Sequence, residues 1–224
     1  VYAIDNNETA LFDLYEELEH QGINFHYKLG DIRDKEMFMI LRNWVIPGFI
    51  FHAAALKHVS PSEANPIEYV TTNIIGTNNV TAFAESVNAY LINISTDKVV
   101  NGESIMGMTK KIAERIVKNA NYITVRFGNV LGSRGSVIPF WQKQIEGNRP
   151  VTVTDPRMER YFMTIQEACS LVIEAAEQAN AGETYILDMG KRINILELAK
   201  KIISESGLDV PIKMIGIRPG EQLI

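Results

Sequence analysis

Gly48-Phe49-Ile50-Phe51-His52-Ala53-Ala54-Ala55 is an apolar run without polar alternation that ends in three small residues. A strand buried on both faces reads this way, and such strands sit in parallel sheets covered by helices. The pattern repeats outward in both directions. Toward the amino terminus lie an apolar strand at 1–4 ending in Asp5, a helix over 8–20 with Leu11, Leu14, Tyr15 and Leu18 at core spacing, a short strand near 24–27 that reaches the loop Gly30-Asp31-Ile32-Arg33-Asp34, and a helix near 35–43. Toward the carboxyl terminus the spacing predicts a long helix over 66–88, a continuous apolar strand over 90–94, a helix over 108–118 and a strand over 122–125. Strands alternating with helices build βαβ units, so the first two-thirds of the chain predict a doubly wound, Rossmann-like parallel sheet of the α/β class. Beyond Gly128 the elements are shorter and mixed: a turn-rich segment at 132–135, a strand at Val151-Thr152-Val153, and helices over 165–178 and 195–206. The expected division is a dinucleotide-binding domain over 1–128 and a small substrate lobe over 129–224, interleaved with the first.

Composition narrows the function classes. The 224 residues are 46% hydrophobic and 22% charged, which describes a soluble globular chain long enough for a sizeable core. With 22 Lys+Arg against 27 Asp+Glu the net charge is −5, and no basic block gathers on one predicted face, which argues against nucleic acid as a partner. An anionic ligand therefore has to be small and locally held, as a nucleotide is. The one cysteine, Cys169, cannot form an internal disulfide, and His20, His26, His52 and His58 lack zinc spacing, so a reducing, cytoplasmic setting is expected and no metal. No apolar run approaches the roughly 20 residues of a membrane span, and no leader pattern opens the chain. Trp44 and Trp141 are expected in the core or lining a groove.

In an open parallel sheet, ligands bind beyond the carboxyl ends of the strands. Asp5 stands where a dinucleotide-binding unit places an acid on the adenosine ribose; its other reading is the cap of the next helix. A carboxylate there repels a 2′-phosphate, which favours NAD over NADP. Asp31-Ile32 is placed to receive the adenine ring, or else simply caps or turns. Ala53-Ala54-Ala55 lets a planar group or a pyrophosphate lie against the backbone, with Lys57 and His58 following on the same loop. The strand over 90–94 empties into Ser95-Thr96-Asp97-Lys98, which offers a donor, an acid and a base in succession, or a solvated turn. Met106-Gly107-Met108-Thr109-Lys110 then opens a helix.

Taken in order, 52–59 (HAAALKHV), 95–98 (STDK), Met106 with Lys110, 126–139 (RFGNVLGSRGSVIP), 160–164 (RYFMT) and 217–221 (IRPGE) run through nearly the whole chain. This series resembles the UDP-N-acetylglucosamine 4,6-dehydratases, the CapD-like polysaccharide biosynthesis proteins of the extended short-chain dehydrogenase/reductase superfamily. That superfamily ordinarily carries Tyr-x-x-x-Lys; here Met106 occupies the tyrosine position and Lys110 is retained. A thioether cannot exchange a proton. The larger, membrane-anchored branch of the dehydratases is similar in having methionine there, so the change points to that branch and leaves room for an inner-membrane anchor on the parent protein, with this chain on the cytoplasmic side.

The resemblance implies internal redox through NAD: oxidation at sugar carbon 4, loss of the carbon-5 proton, departure of water from carbon 6 and return of the hydride. In that scheme Lys98 abstracts the carbon-5 proton, Asp97 in its acid form protonates the leaving hydroxyl and also serves at the carbon-4 hydroxyl, and Thr96 hydrogen-bonds the carbon-4 oxygen. Lys110 holds the nicotinamide ribose and favours the alkoxide. For the UDP-sugar, the resemblance puts Asn129 and the backbone of Gly135-Ser136-Val137 on the diphosphate, Arg160 and Arg218 opposite its charge, and Glu221 on the uridine ribose. Arg160 beside Glu159 has the alternative of a surface pair, and Arg218 before Pro219-Gly220 that of a turn residue. An oligomer of like subunits is implied.

Two rivals stand beside the dehydratase. A nucleotide-sugar 4-epimerase shares the fold but ordinarily needs the tyrosine and has no use for the Asp97-Lys98 pair. The other is a non-catalytic nucleotide-sugar-binding homologue. One further expectation concerns the start of the chain: the ribose acid follows the first glycine of a G-x-G-x-x-G turn by roughly 20 residues, which puts the first strand, that turn and its helix ahead of residue 1.

Overall fold

The computed structural model describes residues 1–133 and 135–223; Arg134, within one of the motifs above, and Ile224 lie outside the described residues. Strand β1 (Tyr2–Asp5) leads into helix α1 (Glu8–His20), β2 (His26–Leu29), α2 (Lys35–Leu41) and β3 (Phe49–His52). Next come α3 (Val59–Ala64), α4 (Pro66–Val70), a π-helical turn (Thr71–Gly76) and α5 (Thr77–Val87), then β4 (Tyr90–Thr96), a 3₁₀ turn (Asp97–Val99), α6 (Ile105–Asn119) and β5 (Ile123–Phe127). The remainder is β6 (Asn129–Val130), α7 (Val137–Glu146), β7 (Val151–Val153), β8 (Glu159–Arg160), β9 (Phe162–Met163), α8 (Ile165–Gln178), β10 (Thr184–Ile186), β11 (Ile193–Asn194), α9 (Ile195–Ser206) and β12 (Ile212–Met214).

A parallel sheet in the order β10-β5-β4-β3 forms the centre, and β1 and β2 make a separate parallel pair. In β3, expected to be buried on both faces, Phe49 and Phe51 are exposed and only Ile50 and His52 turn inward, because the strand lies at the sheet edge. The unalternating apolar run of β4 has a direct cause. Leu91 of β4 joins Val80, Phe83 and Val117 on one face, while its neighbour Ile92 joins Ile123, Ala168 and Val172 on the other, and both are fully buried. Ile4 of β1 and Ile50 of β3 pack into the same layer as Leu91, so the two pieces of sheet share one core although neither strand bonds to the other. The fold is the Rossmann-like α/β fold that the sequence predicts. After Gly128 the chain leaves this sheet, comes back through α8 and β10, and builds a further core from Trp141, Ile145, Val151, Val153, Ile195 and Ala199.

The sequence pattern and the structure differ most at the π turn, at α7 and at Trp44, and α3 and the short strands β6, β8, β9, β10, β11 and β12 were not expected either. The helix predicted over 66–88 is interrupted by the π turn, which carries one extra residue per turn and rotates Asn73 inward; Ile32 lies so close to Gly76 that a Cβ there would meet Ile32 Cδ1 at 2.5 Å. Helix α7 was not anticipated, because Gly132–Gly135 before it and Pro139 within its first turn read as loop. Trp44 is 81% exposed in the turn after α2 and belongs to no core, whereas Trp141 is buried and donates its indole N–H to the carbonyl of Thr152 at 2.8 Å. Among the described residues, no helix is long and apolar enough to cross a membrane. We expect Trp141→Ala to cost about 3–5 kcal/mol in urea unfolding, against no more than about 0.5 kcal/mol for Trp44→Ala.

Candidate active site

The carboxyl ends of β1, β3, β4 and β5 carry the polar residues singled out above. At the end of β4, Thr96 caps the 3₁₀ turn by accepting from the amide of Lys98 at 3.4 Å, and its hydroxyl donates to Oδ1 of Asp97 at 2.9 Å. The ammonium of Lys98 donates to that same oxygen at 2.9 Å and to Oδ1 of Asn129 at 3.1 Å. Thr96, Asp97, Lys98 and Asn129 thus form one hydrogen-bonded, half-buried cluster.

Helix α6 presents Met106 and Lys110 to the same region, one turn apart on its buried face. Its first turn is anchored from α3: the amides of Ile105 and Met106 donate to Glu63 Oε1 at 2.9 Å and to Ser62 Oγ at 3.1 Å, and Ser104 caps the amide of Gly107. Lys110 is buried and donates to the carbonyl of Ile94 at 2.6 Å. Burial pushes its ammonium down to about 8, with the negative charge of Glu114 opposing the shift. Beneath it, His52 at the end of β3 contacts Thr77 Oγ1 through Nε2 at 2.9 Å. Thr77 spends its own proton on the carbonyl of Asn73, so the imidazole is assigned as the donor. Desolvation, and secondarily the charge of Lys110, hold His52 down at about 3.

The loop after β3 is set by a residue that sequence reasoning missed. Asn73 of the π turn accepts from the amide of Leu56 at 2.8 Å, donates back to its carbonyl at 3.0 Å, and donates to Thr109 of α6 at 3.1 Å. Its signal was an asparagine on the apolar face of a helix, where a buried amide needs partners. Ala53 and Ala54 stay exposed beside it, leaving the backbone open to a flat ligand. Lys57 reaches Ser133 at 3.4 Å; partial desolvation, then nearby Lys98, lower its ammonium. A Cβ at Gly135, where φ is +71°, would strike the His58 ring at 3.0 Å, so the loop before α7 lies on His58. This brings Lys57, His58 and Ser136 together. The buried hydroxyl of Ser136 has no partner among the described residues, and Val137 opens α7 against the lobe core.

Arg160 is not paired with the Glu159 carboxylate. Its guanidinium donates to the backbone carbonyls of Glu159, Gln222 and Leu223, near the charges of Asp97 and Glu221. Arg218 to Glu221 is a turn closed by the amide of Glu221 on the carbonyl of Arg218 at 3.0 Å, with Pro219 and a positive-φ Gly220 in type II order. That turn packs on Ser104 and Val59, while Arg218 itself is exposed. At the other edge, Asp5 accepts from the amide of Asn7 at 2.8 Å with its carboxylate exposed, and Asn7, not Asp5, caps α1. Asp31 is bound by Arg33, which holds its carboxyl below the usual range, and Ile32 is partly buried in the core. Among the described residues, no group of three or more His, Cys, Asp or Glu is placed to hold a metal.

Residues 1–224 match the family described as polysaccharide biosynthesis protein. The chain belongs to that family. The probable polysaccharide biosynthesis protein EpsC of Bacillus subtilis is 44% identical over 236 residues, a match covering all of this chain and 40% of EpsC. A UDP-N-acetylglucosamine 4,6-dehydratase (inverting) of Campylobacter jejuni is 36% identical and a UDP-glucose 4-epimerase of Rickettsia canadensis 33% identical, each match covering 88% of this chain and 60% of the relative. The chain therefore spans less than two-thirds of the length of these relatives. The X-ray structure of Pen from Bacillus thuringiensis shares its fold with a TM-score of 0.91 at 37% identity, over 100% of this chain and 72% of Pen.

The neutral, buried His52 has a consequence for stability. Its folded value of about 3 lies below the ordinary 6.5, so between these pH values the unfolded chain holds the extra proton, and stability present above pH 6.5 is lost as the pH falls. From pH 6.5 downward the wild type should lose about 1.4 kcal/mol per pH unit more than His52→Gln. Urea unfolding at a series of pH values measures both slopes; parallel slopes refute the assignment.

Proposed function

We propose that this chain forms the cofactor- and sugar-nucleotide-binding body of a 4,6-dehydratase acting on UDP-N-acetylglucosamine or a close relative. The observation that carries the reading is the direct bond from Lys98 Nζ to Asp97 Oδ1, beside Thr96 and Asn129 and across from Lys110. An elimination needs a base and an acid at adjacent carbons, which an epimerase does not. The resemblance to the Campylobacter jejuni dehydratase supports the same choice.

NAD fits the residues present: the exposed carboxylate of Asp5 suits a ribose diol, the open backbone at Ala53–Ala55 suits a flat or phosphate-bearing group, and Lys110, bonded to the carbonyl of Ile94 near the end of β4, would serve the nicotinamide ribose. When bound, it supplies the hydride acceptor and donor. The protein's own residues carry the proton chemistry. One proton moved along the 2.9 Å bond from Lys98 to Asp97 converts the ion pair into an amine and a carboxylic acid, the two forms that elimination requires. Next to a carbon-4 ketone, the amine takes the carbon-5 proton and the acid protonates the carbon-6 hydroxyl, which departs as water. The pair is then again ammonium and carboxylate, so protons balance over the step. Thr96 can turn its hydroxyl from Asp97 to the carbon-4 oxygen, and the fixed charge of buried Lys110 favours negative charge there. On the UDP side, exposed Arg218 would offer a phosphate fork, Glu221, whose carboxylate accepts from the Arg218 amide at 3.3 Å, would take the ribose, and Arg160, committed to backbone carbonyls, would contribute positive potential more than a free fork.

Full-length protein incubated with UDP-N-acetylglucosamine should form a 4-keto-6-deoxy sugar, read by its absorbance in alkali. A 4-epimer in place of the keto sugar would identify an epimerase, and UDP binding without turnover a binding homologue; either overturns the proposal. Lys98→Ala should slow exchange of the carbon-5 proton with deuterated solvent by roughly 100-fold or more, and undiminished exchange would remove Lys98 as the base.

A further inference from the structure

Glu114 lies one turn beyond Lys110 on α6, and its side chain is only 7% exposed. One carboxylate oxygen accepts from the hydroxyl of Ser95 and from Nε of Arg126 at 2.8 Å; the other accepts from Nη2 of the same arginine. Ser95 and Arg126 are register partners on adjacent strands, β4 and β5. Each stands just before the cluster: Ser95 precedes Thr96, and Arg126 is three residues from Asn129. Lys110, from the same helix face, bonds the carbonyl of Ile94 directly before Ser95. We propose that Glu114 is a positioning residue whose carboxylate ties α6, β4 and β5 together one residue below the Thr96–Asp97–Lys98–Asn129 cluster and so fixes Lys110 against it. This inference rests on the dehydratase reading above.

The sequence chemistry supports this role over simple packing. A buried carboxylate with a bidentate arginine is geometrically exacting, and an apolar residue of similar volume often serves stability as well or better. Holding three elements in register is what the polar version adds. It also places a negative charge near Lys110, beside the Arg126 guanidinium that Glu114 holds, while His52 of β3 stays neutral. Removing that charge while keeping the shape therefore has a signature that loss of packing lacks.

The test uses the full-length protein labelled with [ε-13C]lysine, with Lys110 assigned through Lys110→Arg. In Glu114→Gln the Lys110 midpoint should move to lower pH by roughly half a unit or more, while kcat falls about 10-fold or more and KM for the UDP-sugar stays within about twofold. Ser95→Ala, which deletes one bond and keeps the charge, should lower kcat severalfold with the Lys110 midpoint in place, and it carries the test if Glu114→Gln does not fold. An unmoved midpoint in Glu114→Gln, or wild-type kcat in both variants, overturns the proposal. Should the wild type show no turnover on a UDP-sugar while the midpoint still moves in Glu114→Gln, the dehydratase reading fails and the clamp stands.

Discussion

Helix α6 lies against the end of β4 so closely that a methyl group added at Gly107 would sit 2.9 Å from the carbonyl oxygen of Lys98. The rest of the site depends on that approach. Only with the helix this near can Lys110 reach the carbonyl of Ile94 and Glu114 reach Ser95, and only then do the amides of the helix's first turn meet Ser62 and Glu63. A glycine one position before Met108 is thus a condition for the geometry, because any side chain there would separate the helix from the turn that carries Asp97 and Lys98.

The charges are arranged in two depths. Near the surface, Asp97 and Lys98 pair at 2.9 Å with a quarter or so of each side chain exposed to solvent. Deeper, Lys110 and Glu114 lie with a neutral His52 in a low-dielectric layer, where an unpaired charge is costly and every polar atom needs a partner, and Arg126, 23% exposed, reaches into it. The backbone carbonyl of Ile94 answers the ammonium, and the arginine fork answers the carboxylate. The surface pair is reached by solvent while the deeper group holds the elements in place.

Much of the fold was legible. The strand over 90–96 announces itself because both faces are buried, which removes the polar alternation that would otherwise mark one side as wet. The strand over 49–52 reads the same way but lies at the sheet edge, where Phe49 and Phe51 stay 60% and 49% exposed and only Ile50 and His52 turn inward. The triplet at 96–98 was visible as chemistry at a strand end. Less legible was what each side chain touches. The sequence did not show that Asp31 pairs with Arg33 or that Arg160 holds the carbonyls of Gln222 and Leu223, and Trp44, expected in the core or lining a groove, is 81% exposed. Asn73 and Glu114 went unread, since a polar residue in a helix gives no sign of its partners when those lie on elements 17 and 19 residues away.

By itself the sequence determined the alternation of strands and helices, the parallel sheet and the residue types at its carboxyl edge, because hydrophobic period and residue chemistry are local properties. Tertiary structure alone decided that Lys98 bonds both Asp97 and Asn129, that the π turn aims Asn73 at Leu56, and that Glu114 spans a register pair of β4 and β5. Those are distances between elements, set by how closely helices pack on the sheet, and spacing along the chain does not encode them.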